Sequence, residues 1–342
     1  MTDESIVHAL AARTAGGRLE SFEFPAGPLG NEQVEIAVLA CGICHSDLSM
    51  LDNEWHLTQY PFVPGHEVVG TVIAAGEGVK RVKVGDTVGL GWYSGSCMSC
   101  PQCLSGNHNL CAANEQTIVG RHGGFADRVR CHWLWATPLP AGLGATSAGP
   151  LFCGGITVFN PIIQCGVLPI HRVGVIGIGG LGHLALQFLA KWGCHVTAFT
   201  TSDAKAAEAA KLGASVVLNT RDAAALKQAA GTFDFILSTV ASDLDWAAYV
   251  NLLGPKGRLH FVGVPPAPVA THAFPLIAAQ RSLGGSPLGS PATTAAMLEF
   301  CARHGIAPVT ETFKMSDANA ALDHLRAGKA RYRVVLTNDR LG

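Results

Sequence analysis

At 342 residues, 48% of them apolar and only 14% charged, the chain is too long for a single core and too apolar to be disordered. Its net charge of -1 excludes electrostatic attachment to nucleic acid or to an anionic membrane. The opening MTDESIVHAL has neither a basic start nor a sustained apolar run, so no secretory signal is expected. With eleven cysteines, that reading implies a reducing, cytoplasmic compartment in which metal ligation is favoured over disulfides.

Short runs rich in β-branched residues occupy Val34 to Leu39, Val68 to Ala74 and Thr87 to Leu90, bounded by Gly-Asn, Pro-Gly and Gly-Asp turns. They predict an antiparallel, partly open, barrel-like β-domain, with Asp86 in a structural turn. Among them lies Cys41 to Glu67, CGICHSDLSMLDNEWHLTQYPFVPGHE, with Cys44, His45, Ser46 and Asp47 in a row at one end and His66 and Glu67 at the other. Thiolate, imidazole and carboxylate are ligand types that Zn²⁺ takes, and the long spacing suits a catalytic site built from separate loops. A Cys-His pair alone more often serves packing. Downstream, SCMSCPQCLSGNHNLC sets Cys97, Cys100, Cys103 and Cys111 at C-x2-C-x2-C-x7-C spacing. Four thiolates among turn residues predict a closed, structural Zn²⁺ site, with an iron–sulfur cluster or free thiols as the alternatives. Asn107 and His108 read as loop residues.

The second half alternates strands with helices. RVGVIG (172–177) is a continuous apolar run suited to a buried parallel strand. It enters Gly177-Ile178-Gly179-Gly180-Leu181-Gly182 and then a helical pattern from His183 to Trp192. Glycines lodged between strand and helix let a pyrophosphate reach the helix N-terminus. The apolar run Val173 to Ala190 therefore belongs to this unit and not to a membrane span; its glycines, His183 and Gln187 agree. Further strands at His195–Thr200, Ser215–Leu218, Phe233–Ser238 and Arg258–Val262, with helices such as Ala204–Leu212 between them, predict a doubly wound sheet. An acidic residue ending the second strand would take the ribose 2′-hydroxyl of NAD. Thr200 holds that place, followed by Thr201, Ser202 and Lys205. Hydroxyls, a helix N-terminus and an ammonium suit a 2′-phosphate, so NADP(H) is favoured over NAD(H). Asp203 is the objection; in a first helical turn it reads as dipole-favoured, and Ser202 also reads as an N-cap.

Taken together, CGICHSDL (41–48), YPFVPGHEVVG (60–70), KVGDTVGLG (83–91), the four-cysteine lobe, PLFCGGITVF (150–159), GIGGLG (177–182), FTTSDAK (199–205), GSPLGS (285–290) and KARYRVVL (329–336) make the chain resemble the zinc-dependent medium-chain alcohol dehydrogenases. It is most similar to the cinnamyl-alcohol-dehydrogenase-like branch, which includes bacterial broad-specificity aldehyde reductases. The resemblance implies an α/β fold: a GroES-like β-barrel catalytic domain (1–152 and 287–342) with two zinc ions, and a doubly wound (Rossmann) cofactor domain (153–286). It implies a catalytic zinc held by Cys44, His66 and Cys153, with Glu67 able to approach the metal. Asp47 would orient His66. Ser46 would pass a proton between substrate oxygen and solvent, and His45, Thr157, Val240, Val262 and Val264 would adjoin the coenzyme.

The chemistry implied is hydride transfer between NADP(H) and a primary alcohol or aldehyde. Trp55, Trp92 and Tyr93 stand where the family lines its pocket, which would suit flat aromatic or allylic substrates; the alternative is three core aromatics. Two departures stand out. Ser49 occupies the position where relatives carry a proton-relay histidine, leaving water or His56 to finish the path, and the segment after Cys111 is short. A homodimer is implied. The competing readings are an NAD-linked dehydrogenase of small or secondary alcohols and a non-catalytic, nucleotide-binding redox sensor or scaffold. Cys41, Cys131, Cys165, Cys194 and Cys301 read as packing residues.

Overall fold

The structure is a computed structural model that describes residues 5–201 and 205–339. It divides into two compact units, Met1–Ile156 with Leu288–Gly342 and Thr157–Pro287. The expected boundaries at 152/153 and 286/287 move by four residues and by one, so Cys153 falls in the first unit with Cys44 and His66.

The first unit is built on the strand Gln33–Ile43. Val34, Ile36 and Val38 alternate into its core with no exposed surface. Arg333–Thr337 and Val68–Ala75 flank this strand antiparallel, and Arg128–His132 pairs with its first half. Thr87–Leu90 and Thr137–Pro138 extend the sheet beyond Val68–Ala75, and Thr310–Lys314 extends it in parallel beyond Arg333–Thr337. The expectation of an antiparallel sheet thus meets one parallel pairing at its edge. Register is guarded electrostatically. The buried Glu35 carboxylate lies opposite Arg130, whose Nη2 is 2.6 Å from it, and also takes Arg128 at 3.2 Å. A one-residue slip would turn this carboxylate to the other face and strand it.

The same register builds a site. Cys41 pairs with Val68 and Leu336 with Cys41, and the Gly42 amide donates to the Glu67 carbonyl at 2.9 Å. The end of the central strand, the residues just before Val68 and the start of the last strand therefore meet. Cys44 then N-caps the helix His45–Leu51.

The second unit is a six-stranded parallel sheet in the order Val216–Asn219, His195–Thr200, Arg172–Ile176, Phe233–Ser238, Leu253–Phe261, Ser282–Gly285. The order reverses between Arg172–Ile176 and Phe233–Ser238, which opens a crevice at their carboxyl ends. The helix Gly182–Trp192 buries Leu184, Leu186, Phe188 and Leu189, and stops at Gly193, whose φ of 108° is the left-handed cap a glycine supplies. Among the described residues no helix is long and apolar enough to cross a membrane.

A Cβ on Gly70 would lie 2.1 Å from the Ala37 carbonyl oxygen and 2.6 Å from Ile36 Cγ2. Neither backbone can yield without breaking the strand pairing. Gly70→Ala is expected to destabilise the first unit by about 2 kcal/mol or more, read as a lowered urea midpoint; an unchanged midpoint would refute the packing argument.

Candidate metal centres and nucleotide loop

Four ligand atoms, from Cys44, His66, Glu67 and Cys153, lie within 4.8 Å of one another. The Cys44 and Cys153 sulfurs are 3.8 Å apart, and His66 Nε2 is 3.4 Å from Cys153 Sγ. Tetrahedral Zn²⁺ with bonds of about 2.3 Å to sulfur and 2.0–2.1 Å to nitrogen would place these atoms about 3.8 and 3.5 Å apart. Asp47 fixes the imidazole: its Oδ1 lies 3.0 Å from His66 Nδ1 and accepts the Gly65 amide at 2.9 Å, while Oδ2 accepts the Cys44 amide at 2.8 Å. With the Nδ1 proton committed to Asp47, the Nε2 lone pair is turned to the sulfurs.

Electrostatics describe a site awaiting a cation. Cys44 is driven well below a normal thiol, first by its hydrogen bond with Cys153 and against the effect of burial. Cys153 moves the opposite way, through the same hydrogen bond and its own burial. Two sulfurs thus share one proton. Burial works against a charged His66, but the field and hydrogen bond of Asp47 prevail and raise it. Burial pushes Glu67 up to about 7, against the pull of Arg333. A divalent cation here would move all four groups toward their ligand forms.

Arg333 is the functional residue that pattern reading missed. It is buried, and its Nη2 donates to Glu67 Oε1. The other carboxylate oxygen, Oε2, is buried without a partner, an orphan acceptor that a metal would satisfy. The space is tightly held. A Cβ on Gly42 would lie 2.0 Å from that oxygen, and one on Gly149 would lie 2.4 Å from the Glu67 carbonyl. The donor set and the orphan oxygen both fit Zn²⁺.

Around this centre, Ser46 Oγ lies 3.7 Å from Cys44 Sγ, while His45 and His56 are exposed. The Trp92 ring stands edge-on to His66 with centroids 5.0 Å apart, and Trp55, 41% exposed, meets Trp92 at 5.9 Å. Tyr93 instead packs on Trp135, 5.4 Å between centroids.

Cys97, Cys100, Cys103 and Cys111 form the second cluster, again within 4.8 Å. Sulfur separations of 3.5 and 3.9 Å from Cys97 to Cys111 and Cys103 bracket the tetrahedral value. Backbone N–H groups of Ser99 and Cys100 directed at Cys97 lower its thiol to about 6. His108 stands apart from the set, its Nδ1 3.2 Å from Ser96 Oγ.

In the second unit each glycine of the loop has its own reason. Gly177 has φ 86° under Val240 Cγ1, a Cβ on Gly182 would lie 1.8 Å from the Gly177 carbonyl oxygen, and a Cβ on Gly179 would meet nothing within 4 Å. That open space above the helix N-terminus fits a pyrophosphate. Gly180 and Leu181 complete the turn. His183 Nδ1, 3.1 Å from the Gly179 carbonyl, and Thr239 Oγ1, donating toward the Ile176 and Gly177 carbonyls at 2.9 and 2.8 Å, brace it. The Val262 amide donates to the Ser238 carbonyl, Val264 is exposed, and Thr157 is buried. Thr200 ends its strand, with Thr201 and Lys205 exposed; Ser202 lies outside the described residues.

Two family models match the chain: the alcohol dehydrogenase GroES-like domain over residues 30–141 and the zinc-binding dehydrogenase over 180–303. An aldehyde reductase, AdhA, from Synechocystis is 55% identical over 98% of this chain and 100% of its own length. Among solved structures, a cinnamyl alcohol dehydrogenase from Sorghum bicolor superposes with a TM-score of 0.92 at 38% identity, covering 97% of this chain and 98% of its own. One from Helicobacter pylori, complexed with NADP(H), gives 0.87 at 29% identity and the same coverage.

Asp47→Asn leaves Gly65 and Cys44 with a weaker acceptor and releases the imidazole tautomer. It is expected to weaken metal binding at the Cys44–His66–Cys153 centre about 10- to 100-fold, measured by chelator competition, while metal in the four-cysteine lobe is retained. Equal loss from both clusters would refute a specific role for Asp47.

Proposed function

The chain belongs to the zinc-dependent medium-chain alcohol dehydrogenases, enzymes that interconvert alcohols and aldehydes, and from that footing we propose that it acts on primary, aromatic or allylic alcohols and aldehydes with NADP(H). One observation carries the catalytic reading. The Cys44–His66–Cys153 set supplies three donors, and the fourth, Glu67, is held back through Oε1 by Arg333, so it can approach the metal when the fourth position empties and yield that position to a substrate oxygen. The four-cysteine set closes its metal completely and holds the lobe.

In this reading bound Zn²⁺ supplies Lewis acidity at the substrate oxygen and bound NADPH supplies the hydride. Asp47 holds the Nδ1 proton of His66 in place throughout. Ser46 carries the proton between substrate oxygen and solvent, with water or His56 beyond it, since Ser49 cannot hold one near neutral pH. Trp92, seated on His66, and the exposed Trp55 give a flat apolar wall that favours an aromatic or allylic group. His45, Thr157, Val240, Val262 and Val264 adjoin the coenzyme, and Gly177 to Gly182 take its pyrophosphate. Thr200, Thr201, Ser202 and Lys205 take the 2′-phosphate; hydroxyls with an exposed ammonium, where an NAD enzyme places a carboxylate, support that choice.

A reducing, cytoplasmic setting is supported by eleven free cysteines, six of which belong to the two clusters and must stay reduced to hold a metal. A homodimer is supported by the outer strand Ser282–Gly285, an unpaired sheet edge among the described residues, and by Phe274 and Ile277 in the same unit, 76% and 73% exposed.

Lys205→Ala is expected to lower kcat/KM for NADPH about tenfold or more and to leave NADH nearly unchanged, as loss of a charge-assisted contact dictates. Higher turnover by the unaltered protein with NADH than with NADPH overturns the coenzyme assignment, and metal analysis showing about one zinc per chain instead of two overturns the catalytic centre. For assembly, Phe274→Asp should shift sedimentation from dimer to monomer; a wild-type monomer at micromolar concentration removes the dimer.

A further inference from the structure

The helix His45–Leu51 has a metal-site cysteine at its start, where Cys44 caps it, and Trp55 just beyond its end. A helix leaves its last four carbonyls without partners of its own. Here each finds one. The Leu48 carbonyl accepts the Asp52 amide at 2.8 Å, and that of Ser49 accepts the Glu54 amide at 2.9 Å. Met50 accepts the Asn53 amide at 3.1 Å and Thr58 Oγ1 at 2.6 Å. Leu51 accepts the Gly16 amide at 3.0 Å and the Tyr60 hydroxyl at 2.9 Å. Asp52 is fixed in turn by Arg326 Nη2, which donates to its two oxygens at 2.8 and 2.9 Å.

The chain leaves this helix through Asn53, whose φ of 55° is left-handed. The bonds from Asn53 to Met50 and from Glu54 to Ser49 are those of a Schellman cap, with asparagine where glycine is usual. Glycine costs nothing at such a φ, so the side chain needs its own account. The loop that follows supplies it. Glu54, Trp55, His56 and Leu57 are all exposed, and His56 is itself left-handed at φ 57°. Packing does little to hold such a segment. Two hydrogen bonds fold it back, and both end on Asn53. Its carbonyl accepts the His56 amide at 3.1 Å, and its Oδ1 accepts the Thr58 amide at 3.1 Å. Glycine would supply only the first. The loop's place matters because Trp55 meets Trp92 edge-on, 5.9 Å between centroids, and Trp92 stands on His66 at 5.0 Å.

We propose that Asn53 is a positioning residue for the substrate wall: its backbone ends the helix, and its Oδ1, bonded to Thr58, holds Trp55 against Trp92. This deepens the proposed function and rests on the aromatic wall assigned there. A small aliphatic aldehyde needs the metal and not the wall. An aromatic aldehyde uses both. Without Oδ1, Trp55 moves with its exposed loop, and binding of the ring weakens while the chemistry at the metal is untouched.

The test uses zinc-replete enzyme with saturating NADPH, and benzaldehyde and acetaldehyde as the two probes. Asn53→Gly keeps the left-handed backbone and removes Oδ1; since glycine is the usual residue of this cap, the variant is expected to fold. It should lower the benzaldehyde-to-acetaldehyde ratio of kcat/KM about tenfold, through KM and with kcat nearly unchanged. Asn53→Asp, which keeps the acceptor, should retain the ratio. A second readout needs no substrate. The near-ultraviolet circular dichroism that Trp55 and Trp92 give together, identified as the part lost in Trp55→Phe, should fall in Asn53→Gly and persist in Asn53→Asp. An unchanged ratio and spectrum in Asn53→Gly, or an aspartate variant that behaves as the glycine one, overturns the proposal. Absence of any preference for benzaldehyde in the unaltered protein overturns the aromatic wall instead, and the spectra then decide whether Asn53 places Trp55.

Discussion

The first unit depends on charge compensation inside one closed volume. Cys44, Cys153, Glu67 and Asp47 converge there, and His66, Glu67 and Asp47 have no exposed surface. Left as bare anions they would oppose folding by several kcal/mol each. Each is instead assigned a partner. Asp47 accepts from the Gly65 and Cys44 amides and faces His66 Nδ1. Glu67 has Arg333. The two sulfurs face each other, with His66 Nε2 beside Cys153 and Ser46 Oγ beside Cys44, and a divalent cation would complete their compensation. The unpaired oxygen of Glu67 marks where that compensation leaves room. A metal at this centre would therefore enter the energetics of the fold as well as the proposed chemistry.

What a sequence discloses about such a site depends on how far apart its parts lie. Four cysteines between positions 97 and 111 announce themselves because the chain has too little length to do anything else with them. Cys44 and His66 are half visible: the residue types suggest ligands, but only strand pairing brings them together. Cys153, 109 positions from Cys44, emerged from family resemblance and not from spacing. Arg333 is 266 positions from Glu67, and its place in KARYRVVL gives it no role by spacing. A single arginine opening a strand is indistinguishable from a surface charge until the register Val334 to Ile43 is known. The aromatic pair shows the finer limit. Trp92 and Tyr93 are neighbours in sequence, yet one ring rests on His66 and the other on Trp135. Successive residues in extended chain face opposite ways, and composition does not say which faces the site.

In the second unit more was legible, because parallel sheets write themselves into sequence as continuous apolar runs separated by helices. Strands expected at His195–Thr200 and Phe233–Ser238 occur with those bounds. The strand expected over Arg258–Val262 begins earlier, at Leu253, because an irregular register between Phe233 and Phe235 lets a Gly-Pro-Lys-Gly stretch join the sheet. What composition could not supply is the bracing of the glycine loop. His183 and Thr239 tie its carbonyls from below, and neither is a phosphate-contacting residue type by motif. The loop's shape is thus held by side chains whose role exists only once the crevice has formed.

The eleven cysteines show how far surroundings, and not residue type, decide chemistry. Cys131 and Cys301 are pushed up to about 12 and Cys194 to about 11, burial being the leading cause in each. With few donors to receive, such sulfurs gain nothing by losing a proton, and they behave as small apolar residues. Where sulfurs face one another, as at Cys44 and Cys153 or in the four-cysteine lobe, one proton cannot satisfy them and a metal ion can. Cys165 differs from both groups in facing the side chains of Arg258 and His260. Spacing identifies only the local member of the second group. The other distinctions rest on what the fold points at each sulfur, so the number of cations and N–H donors around a thiol predicts its fate better than its place in a motif.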